Sequence, residues 1–174
     1  FFTAVQTFIQ QRESETIRQV YFFVLGQLRK AGWNEVTLLA PYTLICITVI
    51  FLTRRRLDAL AVGDEEAGSL GLDVRRLRLI TVIAASLGTA ASVAVSGLIG
   101  FVGIIVPHTI RLIFGSSYRV IIPLTIFFGG AFLVVADLVA RLILQPAEIP
   151  IGVVTAFLGA PFFVVVLRTA WKNS

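Results

Sequence analysis

One histidine, one cysteine and ten acidic residues are the groups in this chain that could ligate a metal, attack a substrate or move a proton. His108 has no Cys, Asp or Glu close in sequence, which makes it a poor start for a metal site. A helix-break position with a hydrogen-bonded imidazole is the reading its surroundings favour. Cys46 sits alone inside an apolar run, where it can form no internal disulfide and reads as a small packing or lipid-facing residue. Asp137 is the one acid placed within a long apolar stretch, and ionisable residues in such places are functional suspects. Arg141 follows one helical turn later, so a mutually neutralising structural pair is an equal alternative. No GxxxxGK[ST] loop occurs, so nucleotide phosphates would have to be held by another chain. The densest group of charges runs from Arg54 to Arg78, RRRLDALAVGDEEAGSLGLDVRRLR, with six arginines around the acids Asp64, Glu65 and Glu66.

The elements that must position these groups are hydrophobic and long. Of the 174 residues 57% are hydrophobic, the mean hydropathy is +0.91, and the apolar residues come in blocks instead of a core-facing stripe. The net charge of +5 is spread as punctuation between these blocks, which argues for membrane orientation and against a nucleic-acid surface. Val36 to Leu52 is a short span with Pro41 near its start, where proline costs little. A return span runs from about Leu79 to Val95, with Ala84, Gly88, Ser92 and Ser96 at every fourth position. Small residues at that spacing let another helix approach closely in lipid. Val120 to Val139 is the longest clear span, Gln145 to Pro150 makes a turn, and Pro150 to Leu167 returns, with Gly152, Ala156 and Ala160 as a second small-residue face and a bend at Pro161.

Between the second and third of these spans lies SGLIGFVGIIVPHTIRLIFG. Its apolar part, Leu98 to Val106, would be only about 14 Å long as helix. Gly97, Gly100 and Gly103 loosen it, and Pro107 next to His108 should break or kink it. Charge decides whether it crosses or re-enters. If it crosses, Arg54, Arg55, Arg56, Arg75, Arg76, Arg78, Arg111, Arg119, Arg168 and Lys172, ten of the fifteen basic residues, lie on the inner side, as the positive-inside rule prefers. Upstream, Ile17, Val20, Tyr21, Val24, Leu25 and Leu28 form one helical face with Arg18, Arg29 and Lys30 on or near the other side, which fits a helix lying at the membrane surface, with Trp33 as an interfacial anchor and Trp171 and Lys172 at the inner interface. Within the charged island, Leu57, Leu60 and Ala61 read as one short helix outside the membrane. Gly63 interrupts it, and the acids open a second short helix that carries Ala67 and Leu70 and stops at Gly71.

The runs LDALAVGDEEAGSLGLDVRRLR, SGLIGFVGIIVPHTIRLI, ADLVARLIL and PAEIPIGVVTAFLGAPFF, in this order, resemble the FecCD-type permeases of binding-protein-dependent ABC importers for ferric siderophores, haem and cobalamin. The resemblance covers nearly the whole chain and implies an all-α polytopic membrane helical bundle. Complete members have about twice as many spans. Residues 1–174 would thus be a single permease domain, the C-terminal half, holding one incomplete span that opens in FFTAVQTFI and five more, with a cytoplasmic coupling loop at about 54–78. The chain departs from the family pattern at Leu98, where proline is common after the SG pair, and at Ser117-Tyr118, where an Asp-His pair is common; both bear on local turn geometry.

The same resemblance implies partners. The family's cytoplasmic loop docks in a cleft of an ABC ATPase subunit, which makes Asp64, Glu65, Glu66, Ala67, Gly68, Leu70 and Gly71 the contact residues here, the acids for charge pairing and Ala67 with Leu70 as a small apolar knob. Arg141 falls where the family's outer arginines receive acidic residues of an extracytoplasmic binding protein, a task suited to a planar guanidinium. A second permease copy or homologue completes a dimer in the cytoplasmic (inner) membrane of a prokaryote. ATP and Mg belong to the partner, and no metal or other cofactor is bound directly. Two other readings are a purely structural membrane protein, which leaves the acidic elbow unexplained, and an intramembrane enzyme, which needs His108 and Asp137 in contact.

Overall fold

The apolar blocks fold as helices that run on into the charged segments at their ends. The computed structural model describes residues 1–4, 6–7, 20–21, 23–28, 32–144 and 149–172, and among these no strand occurs. The principal helices are α1 (Trp33–Leu60), α2 (Asp64–Ser69), α3 (Val74–Ser96), α4 (Val102–Phe114), α5 (Tyr118–Leu142) and α6 (Ile151–Lys172). Among the described residues, α1, α3 and α5 are each long and apolar enough to cross a membrane, while α4 and the 151–166 part of α6 are shorter apolar helices.

At 1.5 Å per residue, the 28 residues of α1 reach about 42 Å, more than a hydrocarbon core of about 30 Å. That excess corrects one expectation: Leu57 and Leu60 are the last turns of the spanning helix itself, not a separate short helix. Its start is fixed by Glu35, whose carboxylate accepts from the Gly32 N–H at 2.8 Å and satisfies one of the free donors of the first turn. Asp73 does the same for α3, accepting from the Arg76 N–H at 2.9 Å.

Helix α1 packs along α3 and also meets α5, α4 packs on α5, and α6 lies against both α4 and α5. Ala84 and Gly88, from the four-residue repeat of small residues on α3, face α1. Ala84 is buried, and a β-carbon on Gly88 would lie 3.3 Å from the Cβ and 3.5 Å from the Sγ of buried Cys46. Cys46 is therefore a packing residue between two helices. In lipid such close approach matters because burial of apolar area no longer drives association. Replacing Gly88 with leucine is expected to force α1 and α3 apart at a cost of about 1–3 kcal/mol, read as a lower unfolding temperature in detergent, while Gly88→Ala needs only a small shift.

Two small cores complete the packing. Ala136 and Ala140 of α5 close on Ile151 and Val154 of α6, with Leu28, Ile99, Leu133 and Val139 around them. Val106 and Ile110 of α4 close on Ile121 of α5. Large apolar side chains elsewhere, such as Leu44, Ile45, Phe127 and Val134, are exposed, as a helix surface facing lipid or further helices would be.

The passage from α3 to α4 is built on glycine and one strained residue. Gly97 ends α3 at φ +69°, and Phe101 starts α4 at φ +66°, the one non-glycine with positive φ among the described residues. The Phe101 ring lies where a β-carbon on Gly159 of α6 would be, so the small residue that receives it is Gly159, which the periodicity of Gly152, Ala156 and Ala160 had passed over. The break thus lies at 97–101. Gly97 and Gly100 fall in it, whereas Gly103, Pro107 and His108 lie inside α4, which runs on through Pro107 to Phe114. Proline is tolerated here six residues into a helix, and α6 likewise continues through Pro161.

Of the surface helix expected from Ile17 to Leu28 and the basic residues around it, Ile17, Arg18, Arg29 and Lys30 lie outside the described residues, as do residues 145–148 of the expected turn; the side chains of Trp171 and Lys172 are likewise not described. Val20, Tyr21 and Val24 are exposed, and Trp33 is exposed too. The backbone of residues 23–28 is knitted into the break. Leu98 N–H donates to Phe23 O at 3.1 Å and Gln27 N–H to Ser96 O at 2.8 Å, and Leu25 O occupies the place of a β-carbon on Gly152.

Candidate functional site

Where α1 ends, the chain turns through residues 61–63 into α2. Gly63 adopts φ +157°, and the Glu66 carboxylate folds back over its Cα into the space a β-carbon would need. Asp64, Glu65 and Glu66 occupy the first turn of α2, where the helix dipole favours negative charge, and Gly71 at φ +79° lets the chain leave. Leu70 stands 72% exposed beside exposed Glu65, Glu66, Gly68 and Gly71. Ala67 does not belong to this surface. It is 0% exposed, turned inward at the point where α2 contacts α1 and α3, so the expected two-residue knob reduces to Leu70. Helical geometry explains the correction: Leu70 is three positions after Ala67, which would share a face within a helix, but α2 ends between them at Ser69.

Two clamps hold this elbow. Arg78 Nη2 on α3 donates to both carboxylate oxygens of Asp64, each at 2.9 Å, so Asp64 is shared with the chain's own arginine. Both partners are more than half exposed, which limits the pair to at most about 1 kcal/mol. The second clamp was not legible in the sequence. Asp58, two turns from the end of the spanning part of α1, accepts from the Ser117 hydroxyl at 2.9 Å and from the Tyr118 N–H, and pairs with Arg119 Nε at 3.3 Å. Along the helix, Arg54 at i−4 is its obvious partner. In the fold, the Arg54 guanidinium lies over the Phe51 ring instead, 3.7 Å from its centroid. The contact brings the α4–α5 turn to the island's end of the bundle, with Arg119 against the island's Asp58.

At the opposite end of α5, Arg141 Nε donates to Asp137 Oδ2 at 2.7 Å. The expected i,i+4 pair is formed, and the Arg141 side chain remains 47% exposed. His108 differs from expectation. Its ring stands edge-on to Phe162 of α6 with centroids 5.9 Å apart, and no hydrogen bond to the imidazole is formed among the described residues. Asp137 is engaged by Arg141 and His108 by Phe162, which leaves the two-residue intramembrane enzyme without its required contact. No group of three or more potential metal ligands occurs among the described residues.

The sequence pattern of the FecCD transport family matches residues 1–169. The chain belongs to the FecCD transport family. Among its relatives are a cobalamin import system permease of Halobacterium salinarum, 40% identical over 95% of this chain and 44% of that protein, and a hemin transport system permease of Yersinia pestis, 40% identical over 93% of this chain and 49% of that protein. An Fe(3+)-citrate import system permease of Bacillus subtilis is 36% identical over 89% of this chain and 46% of that protein. The fold matches a solved inward-facing conformation of a metal-chelate type ABC transporter with a TM-score of 0.83 and 30% identity, over 97% of this chain and 55% of that one. The FecCD chain therefore has the all-helical membrane architecture of an ABC transporter permease. It spans about half the length of the curated relatives it matches.

Proposed function

We propose that this FecCD chain is the coupling half of a permease in an ABC importer that carries ferric siderophore-type chelates, haem or cobalamin across the cytoplasmic membrane of a prokaryote. The observation that carries the reading is α2: a short acidic helix standing exposed between two helices long enough to cross a membrane, with its start pinned to α3 by Arg78. Glu65, Glu66, Gly68, Leu70 and Gly71 offer charge and one apolar side chain to a cleft on a partner ATPase, while Asp64 divides its charge between that partner and Arg78. The partner supplies ATP and Mg, since this chain has no phosphate loop. Closure of two such ATPases would move both docked elbows of a permease dimer and tilt the attached helices. The import relatives named above support that assignment.

In the proposed topology, five crossings follow an opening partial one, with α4 and the stretch 97–101 together making the third. Thirteen residues of helix give about 20 Å, and the non-helical stretch 97–101 before it makes up the rest of the path. Arg141 then lies on the outer face, held by Asp137 with half its surface free to receive a carboxylate of the binding protein. Reversal by Arg141→Glu sets two carboxylates one turn apart and offers the binding protein the wrong sign. Its affinity for the permease is expected to fall by about 2–5 kcal/mol in surface plasmon resonance on nanodisc-embedded protein. An unchanged affinity removes Arg141 from the interface. The whole reading is tested by purifying the permease from native membranes and identifying what comes with it: an ABC ATPase and an extracytoplasmic binding protein whose bound ligand is read by mass spectrometry. Recovery without any ATPase would overturn it.

A further inference from the structure

The contact between α1 and α5 at Asp58 joins residues 59 and 60 positions apart, and its geometry is unusual for a helix start. Ser117 is the N-cap of α5, and a serine there ordinarily turns its hydroxyl to accept from the second or third N–H of its own helix. Here Ser117 makes no such bond. Its hydroxyl donates away from α5, to Asp58 Oδ2, while Asp58 Oδ1 takes the Tyr118 N–H and Arg119 approaches the same carboxylate. A residue of α1 thus caps α5, offering a charge to the positive end of its dipole. The Asp58 side chain is 22% exposed, well below the 57% of Asp64 in the other clamp, so its three partners are less screened. Only the last helical residues of α1 and the 61–63 turn separate Asp58 from α2.

We propose that Asp58 is a positioning residue that fastens the N-terminus of α5 to the α1–α2 elbow, so that a displacement applied at α2 is handed to α5 and carried along its length to the Asp137–Arg141 end. The proposal rests on the reading of α2 as the site of ATPase docking. Helix α5 suits the role because it is continuous from Tyr118 to Leu142, about 38 Å, with the latch at one end and the exposed arginine at the other. The Asp64–Arg78 pair cannot replace it, since that pair ties α2 to α3 and leaves α5 free.

The test uses the permease assembled with its ATPase in lipid vesicles. A spin label is carried on Leu142→Cys at the far end of α5, Cys46→Ser removes the native thiol, and ATP with vanadate is the trapping agent. With Asp58 present, trapping shifts the label's spectrum. Asp58→Ala is expected to cut that shift at least about fivefold while ATP hydrolysis stays within about twofold, the signature of a broken transmission and not of a damaged motor. Asp58→Asn, whose amide oxygen still accepts from the Tyr118 N–H while its NH2 donates to the Ser117 hydroxyl oxygen, is expected to keep more than about half of the shift. A purely structural role would lower the yield of complex and both readouts together. If Asp58→Ala does not assemble, Ser117→Ala combined with Arg119→Ala removes the two side-chain partners and leaves only the Tyr118 N–H, with a smaller but clear loss of the shift expected. A full label response in either variant overturns the latch alone, whereas failure of the unsubstituted permease to bind the ATPase overturns the docking reading beneath it.

Discussion

Reversing both free carboxylates of the elbow, Glu65→Lys with Glu66→Lys, is expected to abolish transport-coupled ATP hydrolysis in the assembled importer while the permease still inserts and folds. Both side chains are exposed and bonded to no other residue's side chain among those described, so the fold loses little by the exchange. The helix itself is weakened by the loss of favourable charge at its N-terminus, by about 0.3–1 kcal/mol per residue, too little to unfold a segment held at Ala67 and Arg78. At a docked interface the same change turns attraction into like-sign or desolvated charge, a penalty of several kcal/mol. ATPase activity measured in proteoliposomes with and without the binding protein checks the coupling, and membrane fractionation checks insertion. Hydrolysis still stimulated by the binding protein would take Glu65 and Glu66 out of the contact. Exposed Leu70 provides a second probe of the same surface, since Leu70→Ser removes apolar contact without touching charge.

The second large effect is expected at the break between α3 and α4. Gly97→Val places a β-branched side chain at φ +69°, where L-residues pay about 1–2 kcal/mol, and its β-carbon would overlap the Phe23 carbonyl. Backbone cannot swing aside as a flexible side chain can, so the overlap adds a further 1–3 kcal/mol, about 3 kcal/mol in all. The hydrogen bonds of Leu98 N–H to Phe23 O and Gln27 N–H to Ser96 O should be lost with it. Gly100→Val is the control. It lies in the same break, has no positive φ, and meets nothing within 4 Å. The expected outcome is a large drop in monodisperse protein and unfolding temperature for the Gly97 variant and a small change for the Gly100 variant. Equal behaviour of the two would mean that the break tolerates any backbone path.

These two sites differ in how much of them could be read in advance. The acidic elbow was legible because its signals are local: a glycine before three acids, a small-residue run, and a glycine after it. The Asp137–Arg141 pair was legible for the same reason, since i,i+4 spacing on a helix fixes the distance between side chains. The backbone junction of Phe23, Gly97 and Gly152 was not, because it depends on three segments that meet only after the helices have packed.

By itself the sequence determined that the chain is a helical membrane protein, where its long apolar helices run, which face of α3 is small, and that a charged elbow divides the first two of them. Each follows from hydrophobic length, charge placement and helical period, which act within about twenty residues. Only the tertiary structure decided that Ala67 turns inward, that the break falls before Val102 and not at Pro107, that His108 meets Phe162, and that Asp58 caps a helix sixty residues away. Those outcomes depend on which neighbour reaches a side chain first, and in a bundle the winning neighbour comes from another helix. Asp58 shows the reason most plainly: along the helix its i−4 partner is Arg54, but in space the Phe51 ring holds that arginine and the bare start of α5 takes its place.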